Sequence, residues 1–251
     1  MSRERPAQSV RLNKAIAHAG ICSRRKADAL ISQGRVQVND RVQRELGVSI
    51  TPGVDTLVVD GQPVDFGVAR APENTIHLAL HKPPQVMSTM HDPQQRATVV
   101  DYLSDSLRAA RVLPVGRLDF LSEGLLLLTN DYALIHALTH PSRHLSKTYL
   151  LHVLGALDES QLAAMRAGMT LEDGTAVAGV KVAIQRRTRQ GGILKVLLHQ
   201  GVNRQLRRMC AQLDLRVHRL IRTKHGPVSL GDLEPGKIRR LKSSVFRNIV
   251  R

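Results

Sequence analysis

Asp119 stands in a charged loop, Gly116-Arg117-Leu118-Asp119, that Gly124 closes and that lies between two apolar runs. Downstream come four consecutive leucines, Leu125 to Leu128, followed by Thr129-Asn130-Asp131; upstream lies Val112-Leu113-Pro114-Val115. The leucine run reads as a strand buried on both faces, and the upstream run as a second, short strand. A carboxylate held in a short loop between two core strands is positioned and partly desolvated, the setting in which reactive carboxylates are found. The same residues also fit plain loop charges, and the local pattern does not separate the two. Two further stretches carry chemistry: Lys147-Thr148-Tyr149, and Gly201-Val202-Asn203-Arg204-Gln205-Leu206-Arg207-Arg208-Met209 with its three guanidinium groups. His136 and His140 have a helical spacing that could hold zinc. No third ligand or H-E-x-x-H context accompanies them, so they read as solvated or satisfied histidines.

The elements that position these groups follow from periodicity and punctuation. Asn130 or Asp131 suits the N-cap of a helix ending near His140-Pro141. Lys147 to Val153 reads as a strand whose period of two puts Lys147, Tyr149, Leu151 and Val153 on one face; a lone tyrosine there, taken by itself, is core packing. A helix from Leu157-Asp158 to Met165, a turn at Asp173-Gly174 and a strand from Ile193 to His199 lead to the arginine-rich helix start. Ahead of the charged loop, Ile76, Leu78 and Leu80 alternate as a half-buried strand running into Lys82-Pro83-Pro84. A mobile polar segment, Gln85 to Arg96, and a helix around Thr98 to Leu107 follow. Arg96 reads either as a phosphate contact or as a surface charge.

Residues 9–69 form a separate basic module in this reading. Leu12, Ala15, Ile16 and Ala19 repeat at helical spacing with Gly20 as the stop. Ser23 then caps a second helix with Ala27, Leu30 and Ile31 inside and Gly34 at its end. Val36 and Val38 begin a set of short strands through Val48 to Ile50 and Thr56 to Val59, closed by Gly61. Arg24-Arg25-Lys26 occupy the first turn of the second helix, where the dipole disfavours each cation by a few tenths of a kcal/mol. RNA phosphates would supply the reason; a solvated basic face is the plainer alternative. Residues 70–75, with Pro72, read as the linker, and 76–245 as the second domain.

Composition narrows the class. A net charge of +16 over 251 residues asks for an anionic partner, with nucleic acid ahead of a membrane surface. No run has the length of a membrane span, and Met1 to Ser9 lack the apolar stretch of a secretory signal. Two cysteines far apart, Cys22 and Cys210, suit a reducing cytoplasm. Three Tyr, three Phe and no Trp argue against an RRM or OB-fold, whose surfaces rely on aromatic platforms.

The run from Gly116 to Asp131 resembles the G-R-L-D-x-x-T-x-G-L-L-L-L-T-N-D signature of the RsuA/RluB-type ribosomal RNA pseudouridine synthases, with Ser122 where Thr is usual. Lys147-Thr148-Tyr149 resembles the family's K-x-Y motif, and residues 201–209 its G-x-N-R-Q-[IV]-R-R-[ML] motif. Leu220-Ile221-Arg222 with Gly226 resembles its closing strand, whose aliphatic residues help line the pocket, and Gly231 to Leu241 its terminal strand-and-helix closure. The segment from Arg11 to Asn39 resembles the S4 RNA-binding domain.

The resemblance implies an α+β protein: a small S4-like domain, then a synthase domain on a mixed, mainly antiparallel sheet with flanking helices. It makes Asp119 the catalytic residue, puts Tyr149 against the target uracil and pairs Arg207 with Asp119. Arg204 and Arg208 become RNA or loop contacts, joined by Lys82, Arg96, Arg117, Lys147 and Asn203. In the S4-like part it places Arg11, Asn13, Lys14, Ser23, Arg24, Arg25, Arg35 and Asn39 on or near the RNA face. It also implies a cytoplasmic monomer that needs neither metal nor cofactor and acts on ribosomal RNA or a pre-ribosomal particle, with 23S RNA ahead of 16S. A non-catalytic assembly factor on the same fold is one alternative, and a tRNA or dual-specificity enzyme a more remote one. Gln85 and Val202 depart from the pattern, which has glycine and a basic residue there. Gln85 must then take an unusual backbone angle or the turn must differ.

Overall fold

The small module is built as its punctuation suggests. The computed structural model describes residues 9–66, 74–140, 143 and 145–249, and it divides the chain into two units, Met1–Ala71 and Pro72–Arg251. The expected linker, residues 70–75, lies largely outside the described residues. In the first unit β1 (Val10–Arg11), α1 (Leu12–His18) and α2 (Arg24–Ser32) precede β2 (Val36–Val38), β3 (Arg41–Gln43), β4 (Ser49–Ile50), β5 (Leu57–Val59) and β6 (Gln62–Pro63). The sheet order is β3-β2-β5-β6, and β1 pairs with β4. Ser23 Oγ accepts the Lys26 N–H at 3.3 Å, an N-cap worth about 1 kcal/mol. Leu12, Ile16, Ala27, Leu30 and Ile31 from the two helices close on Val36, Leu57 and Val59.

The second unit is a nine-stranded mixed sheet with helices on it and a separate β11–β12 pair. It opens with β7 (His77–Lys82), a 3-10 turn at Val99–Tyr102, α3 (Asp105–Ala109) and β8 (Leu113–Pro114). Next come β9 (Glu123–Thr129), α4 (Tyr132–Thr139), β10 (Lys147–Leu154), α5 (Glu159–Ala167), β11 (Gly168–Thr170) and β12 (Ala176–Ala178). The rest is β13 (Lys181–Thr188), β14 (Gly191–Leu198), α6 (Gln205–Gln212), β15 (Arg216–His225), β16 (Val228–Ser229) and β17 (Ile238–Arg240). The main sheet runs β13-β14-β10-β15-β9-β7-β17, with β16 on β15 and β8 on β9; of its pairings only β15 with β9 is parallel.

All seven residues of β9 are buried, and its leucines serve two cores. Leu126 and Leu128 pack with Leu78, Leu80 and Leu151, while Leu125 and Leu127 pack with Leu134, Leu138, Val228 and Phe246. Each such leucine contributes about 1.5–3 kcal/mol by leaving water. Asp131 caps α4, accepting from Leu134 N at 3.0 Å, while Asn130 Oδ1 instead takes the Ile76 N–H at 2.8 Å.

Three expectations need correction. β7 is buried along its whole length, because it lies between β9 and β17 with a core on each face. The helix expected over Thr98 to Leu107 is a 3-10 turn and a separate α3. Thr98 with Asp101 forms a capping box for the first, and Ser104 starts the second. The segment Gln85 to Arg96 is tied down: Met87 N donates to Ala97 O at 2.8 Å, and Arg96 grips Asp92 through two bonds of 2.8 Å.

Candidate active site

The β8–β9 connection carries Asp119, and it is anchored from three directions. Ser88 Oγ donates to Leu118 O at 2.9 Å and accepts from Leu118 N at 3.1 Å. Gln85 N donates to Phe120 O at 2.7 Å, and Arg207 Nη2 to Leu121 O at 3.0 Å. Arg222 Nη1 donates to Arg117 O at 3.5 Å, while its Nε donates to Leu125 O, within β9, at 2.7 Å. Gln85 does take the unusual backbone angle, with φ of 61°, which aims its N–H at the loop. Gly124 has φ of 102° and pairs with Arg222 across the parallel β9–β15 junction; a Cβ there would stand 2.4 Å from Arg222 O. Only glycine fits that approach.

The Asp119 side chain is 32% exposed and faces a cleft of about 240 Å³. Tyr149 (β10), Arg204, Arg207, Leu220 and Arg222 also line it, and Asp119 is its only carboxylate among the described residues. Tyr149 is buried, lying beside Arg222 on one strand and Val196 on the other. The β10–β15 register slips between Thr148 and Tyr149, a bulge of the kind that re-aims side chains next to active sites.

The cation nearest Asp119 is Arg204, with Nη1 at 3.9 Å from Oδ2, and this corrects the expected pairing with Arg207. Arg204 takes a left-handed conformation (φ 49°, ψ 29°) as the residue ahead of α6, which swings its side chain to the carboxylate. Arg207 spends its guanidinium on Leu121 O and, at 3.4 Å, on Val217 O. Burial, and then the neighbouring Arg204, lower the Arg207 pKa, with Asp119 partly opposing. The two arginines thus divide the work: one faces the carboxylate, the other holds its loop.

Beneath them lies a buried cationic layer. Arg222 is 2% exposed and His225 is 1% exposed. Burial, with Arg222 and Lys147 adding to it, drives the His225 pKa well below the ordinary imidazole value, so the ring is neutral. Lys147 is half-buried, donates to Leu145 O at 3.4 Å, and is lowered by burial and by Arg222. Sequence reasoning assigned only the aliphatic members of this strand to the pocket. The missed signal was the period of two, which carries Arg222 onto the face of Leu220.

Several other expected contacts have structural work. Lys82 is fully buried, and Nζ donates to Pro83 O at 2.7 Å and Val86 O at 2.9 Å, so it is not a surface RNA contact. Burial pulls its pKa down to about 8, Glu123 and Asp119 opposing. Arg208 pairs with Asp173, and Arg96 with the buried Asp92. Arg35 makes a two-bond pair with Asp60, and Asn39 donates to Asp55 and accepts from Thr56 N in the loop ahead of β5. Asn13 donates to Asp28, and Arg11 to Gly47 O at 2.6 Å. Lys14 is part-buried on α1, while Ser23, Arg24 and Arg25 stay exposed at the start of α2. Arg117 and Asn203 are exposed at the cleft. His136 and His140 lie with ring centroids 4.8 Å apart. Among the described residues no group of three or more His, Cys, Asp or Glu could hold a metal, and no helix is long and apolar enough to cross a membrane.

Comparison with known proteins identifies the family and the fold. A family model described as RNA pseudouridylate synthase matches residues 76–212, and one described as S4 domain matches residues 10–55. The chain is 40% identical over 233 residues to an uncharacterized RNA pseudouridine synthase of Aquifex aeolicus, covering 92% of this chain and 90% of the relative. It is 38% identical to the ribosomal large subunit pseudouridine synthase B of Bacillus subtilis, covering 92% and 91%. Against the dual-specificity RNA pseudouridine synthase RluF of Escherichia coli identity is 37%, covering 94% and 77%. A crystal structure of a pseudouridylate synthase superposes with a TM-score of 0.66 at 27% identity, covering 97% of this chain and all of the other.

Proposed function

This chain belongs to the RNA pseudouridylate synthase family, and from that premise we propose that it converts one uridine of 23S ribosomal RNA to pseudouridine with Asp119 as the reactive carboxylate. The observation that carries this reading is Asp119 itself, the single carboxylate among the described residues lining a cleft whose wall holds four arginines, Lys147 and Tyr149. The preference for 23S RNA draws on the large-subunit enzyme of Bacillus subtilis among the relatives.

The reaction is an isomerisation. The N1–C1′ bond breaks, uracil turns in the cleft, C5 bonds to C1′, and the C5 proton is exchanged for one on N1. Asp119 acts either as nucleophile at C1′ or as base toward the C2′ proton, and both roles need the carboxylate ionised. Arg204 stands 3.9 Å from the carboxylate as its counter-charge, and Arg207 keeps the loop aimed. Extruding the uridine from its stack costs a few kcal/mol. Packing against Tyr149 and Leu220 offsets part of that.

The test uses the purified protein and Asp119→Asn, each incubated with unmodified 16S and 23S transcripts. Pseudouridine is then mapped by carbodiimide adducts and primer extension. A single new stop in 23S RNA with wild type alone is the expected result. A stop in 16S RNA moves the substrate to the small subunit. Turnover by Asp119→Asn overturns the assignment of the carboxylate, and a wild type that modifies neither RNA favours an assembly role.

A further inference from the structure

The six Phe and Tyr side chains are all described, and five are half-buried or buried; only Phe120 is exposed, at 36%. It directly follows Asp119. A single exposed phenylalanine on a protein surface is ordinary and needs no explanation. This one differs in how it is held. Its carbonyl is fixed by Gln85 N at 2.7 Å, so the ring rides on the same anchored loop as the reactive carboxylate. Arg96 stands behind it, with Cζ 6.0 Å from the ring centroid, at the outer range of a cation–π contact. Arg96 is itself immobilised, since Nε and Nη2 each bond to Asp92 at 2.8 Å and the Asp92 side chain is 5% exposed. One edge of the guanidinium is thereby spent on a carboxylate, which fixes the plane of the group beside the ring.

We propose that Phe120, backed by Arg96, is a stacking site for an unpaired nucleobase adjacent to the target uridine. The proposal deepens the reading above and rests on RNA entering the cleft at Asp119. When a uridine leaves its stack, its neighbour loses a stacking partner. A ring one residue from Asp119 can replace that partner. A nucleobase suits the site better than an apolar peptide side chain does: stacking on aromatic rings and guanidinium planes is how unpaired RNA bases are gripped.

The experiment uses an RNA fragment around the uridine mapped above, with 2-aminopurine at the nucleotide on either side. Binding is read in the Asp119→Asn background, where no turnover intervenes. The Phe120-bearing protein should quench the fluorophore on one of the two sides. Phe120→Ala should abolish the quench and weaken binding about tenfold, the scale of one base–aromatic contact. Phe120→Tyr should restore both, whereas Phe120→Leu, apolar but without a π-face, should behave like Phe120→Ala. Arg96→Ala should weaken binding by a smaller factor. Because the ring is exposed, all Phe120 variants should melt with the parent. If Phe120→Leu matches the parent, or Phe120→Ala quenches and binds like it while wild type still modifies the uridine, the stacking site is refuted and the synthase reading stands. A wild type that modifies no ribosomal RNA removes both.

Discussion

The two cationic regions of this protein are built on opposite principles. At the start of α2, Arg24, Arg25 and Lys26 are exposed, with no acidic residue in that first turn. In the cleft, Arg204, Arg207 and Arg222 are each held by a carboxylate or by backbone carbonyls, and Arg222 is almost wholly buried. The exposed group suits long-range, salt-sensitive attraction to phosphates, which carries little positional information. The held group gives geometry, because a guanidinium already bonded to a loop keeps that loop in place. The lesson is that a net charge of +16 does not describe one function: on the proposed reading, part of it draws RNA in and part orders the cleft around Asp119.

Substitutions should separate the two roles. The largest effect belongs to Asp119→Asn, which should lower turnover by about a thousandfold or more while leaving RNA affinity unchanged, as single-turnover assays beside filter binding would reveal. Gly124→Ala comes next. Its Cβ would meet the Arg222 backbone at a positive φ, and denaturant unfolding should show a loss of about 3 kcal/mol. An unchanged midpoint would mean that the β9–β15 junction is softer than its geometry implies. Replacing Arg24, Arg25 and Lys26 together by alanine should weaken RNA binding and flatten the log K against log salt slope by about 2, with kcat preserved. A matching loss of kcat would erase the contrast between the regions.

The smallest effect concerns Lys82. Its folded pKa of about 8 lies below that of an unfolded lysine, so between about 8 and 10.5 the unfolded chain binds more protons at this site. The penalty for burying the charge is fully present below pH 8 and fades as the pH rises. The stability of wild type relative to Lys82→Met should therefore increase from pH 8 to pH 10. A pH-independent difference between the two melting curves would contradict the assigned shift.

The sequence was most readable where one constraint dominated. Leu125 to Leu128 could only be a central strand, Ser23 could only begin a helix, and the motif around Asp119 marked the loop that does line the cleft. The readings failed where two interactions competed. Thr98 and Ser104 each nucleate a turn, and their caps broke one expected helix into two pieces. Position within a motif identified Arg207 as the partner of Asp119. Which arginine reaches the carboxylate depends on the left-handed backbone of Arg204, and no periodicity reports that angle. Lys82, Arg96 and Arg208 looked like free charges for a similar reason: their partners Val86, Asp92 and Asp173 become neighbours only through turns or long-range folding.

The parallel contact between β9 and β15 also sets an order of events in time. Leu125 and Arg222 are 97 positions apart, yet their bond ties β15 to the strand in which the loop bearing Asp119 ends. During synthesis the reactive carboxylate emerges long before the strand that completes its cleft. Closing so long a loop costs entropy before any contact rewards it, which makes such pairings late and slow. The nascent chain therefore displays its S4-like unit before the cleft around Asp119 can close, since that cleft is lined by Leu220 and Arg222.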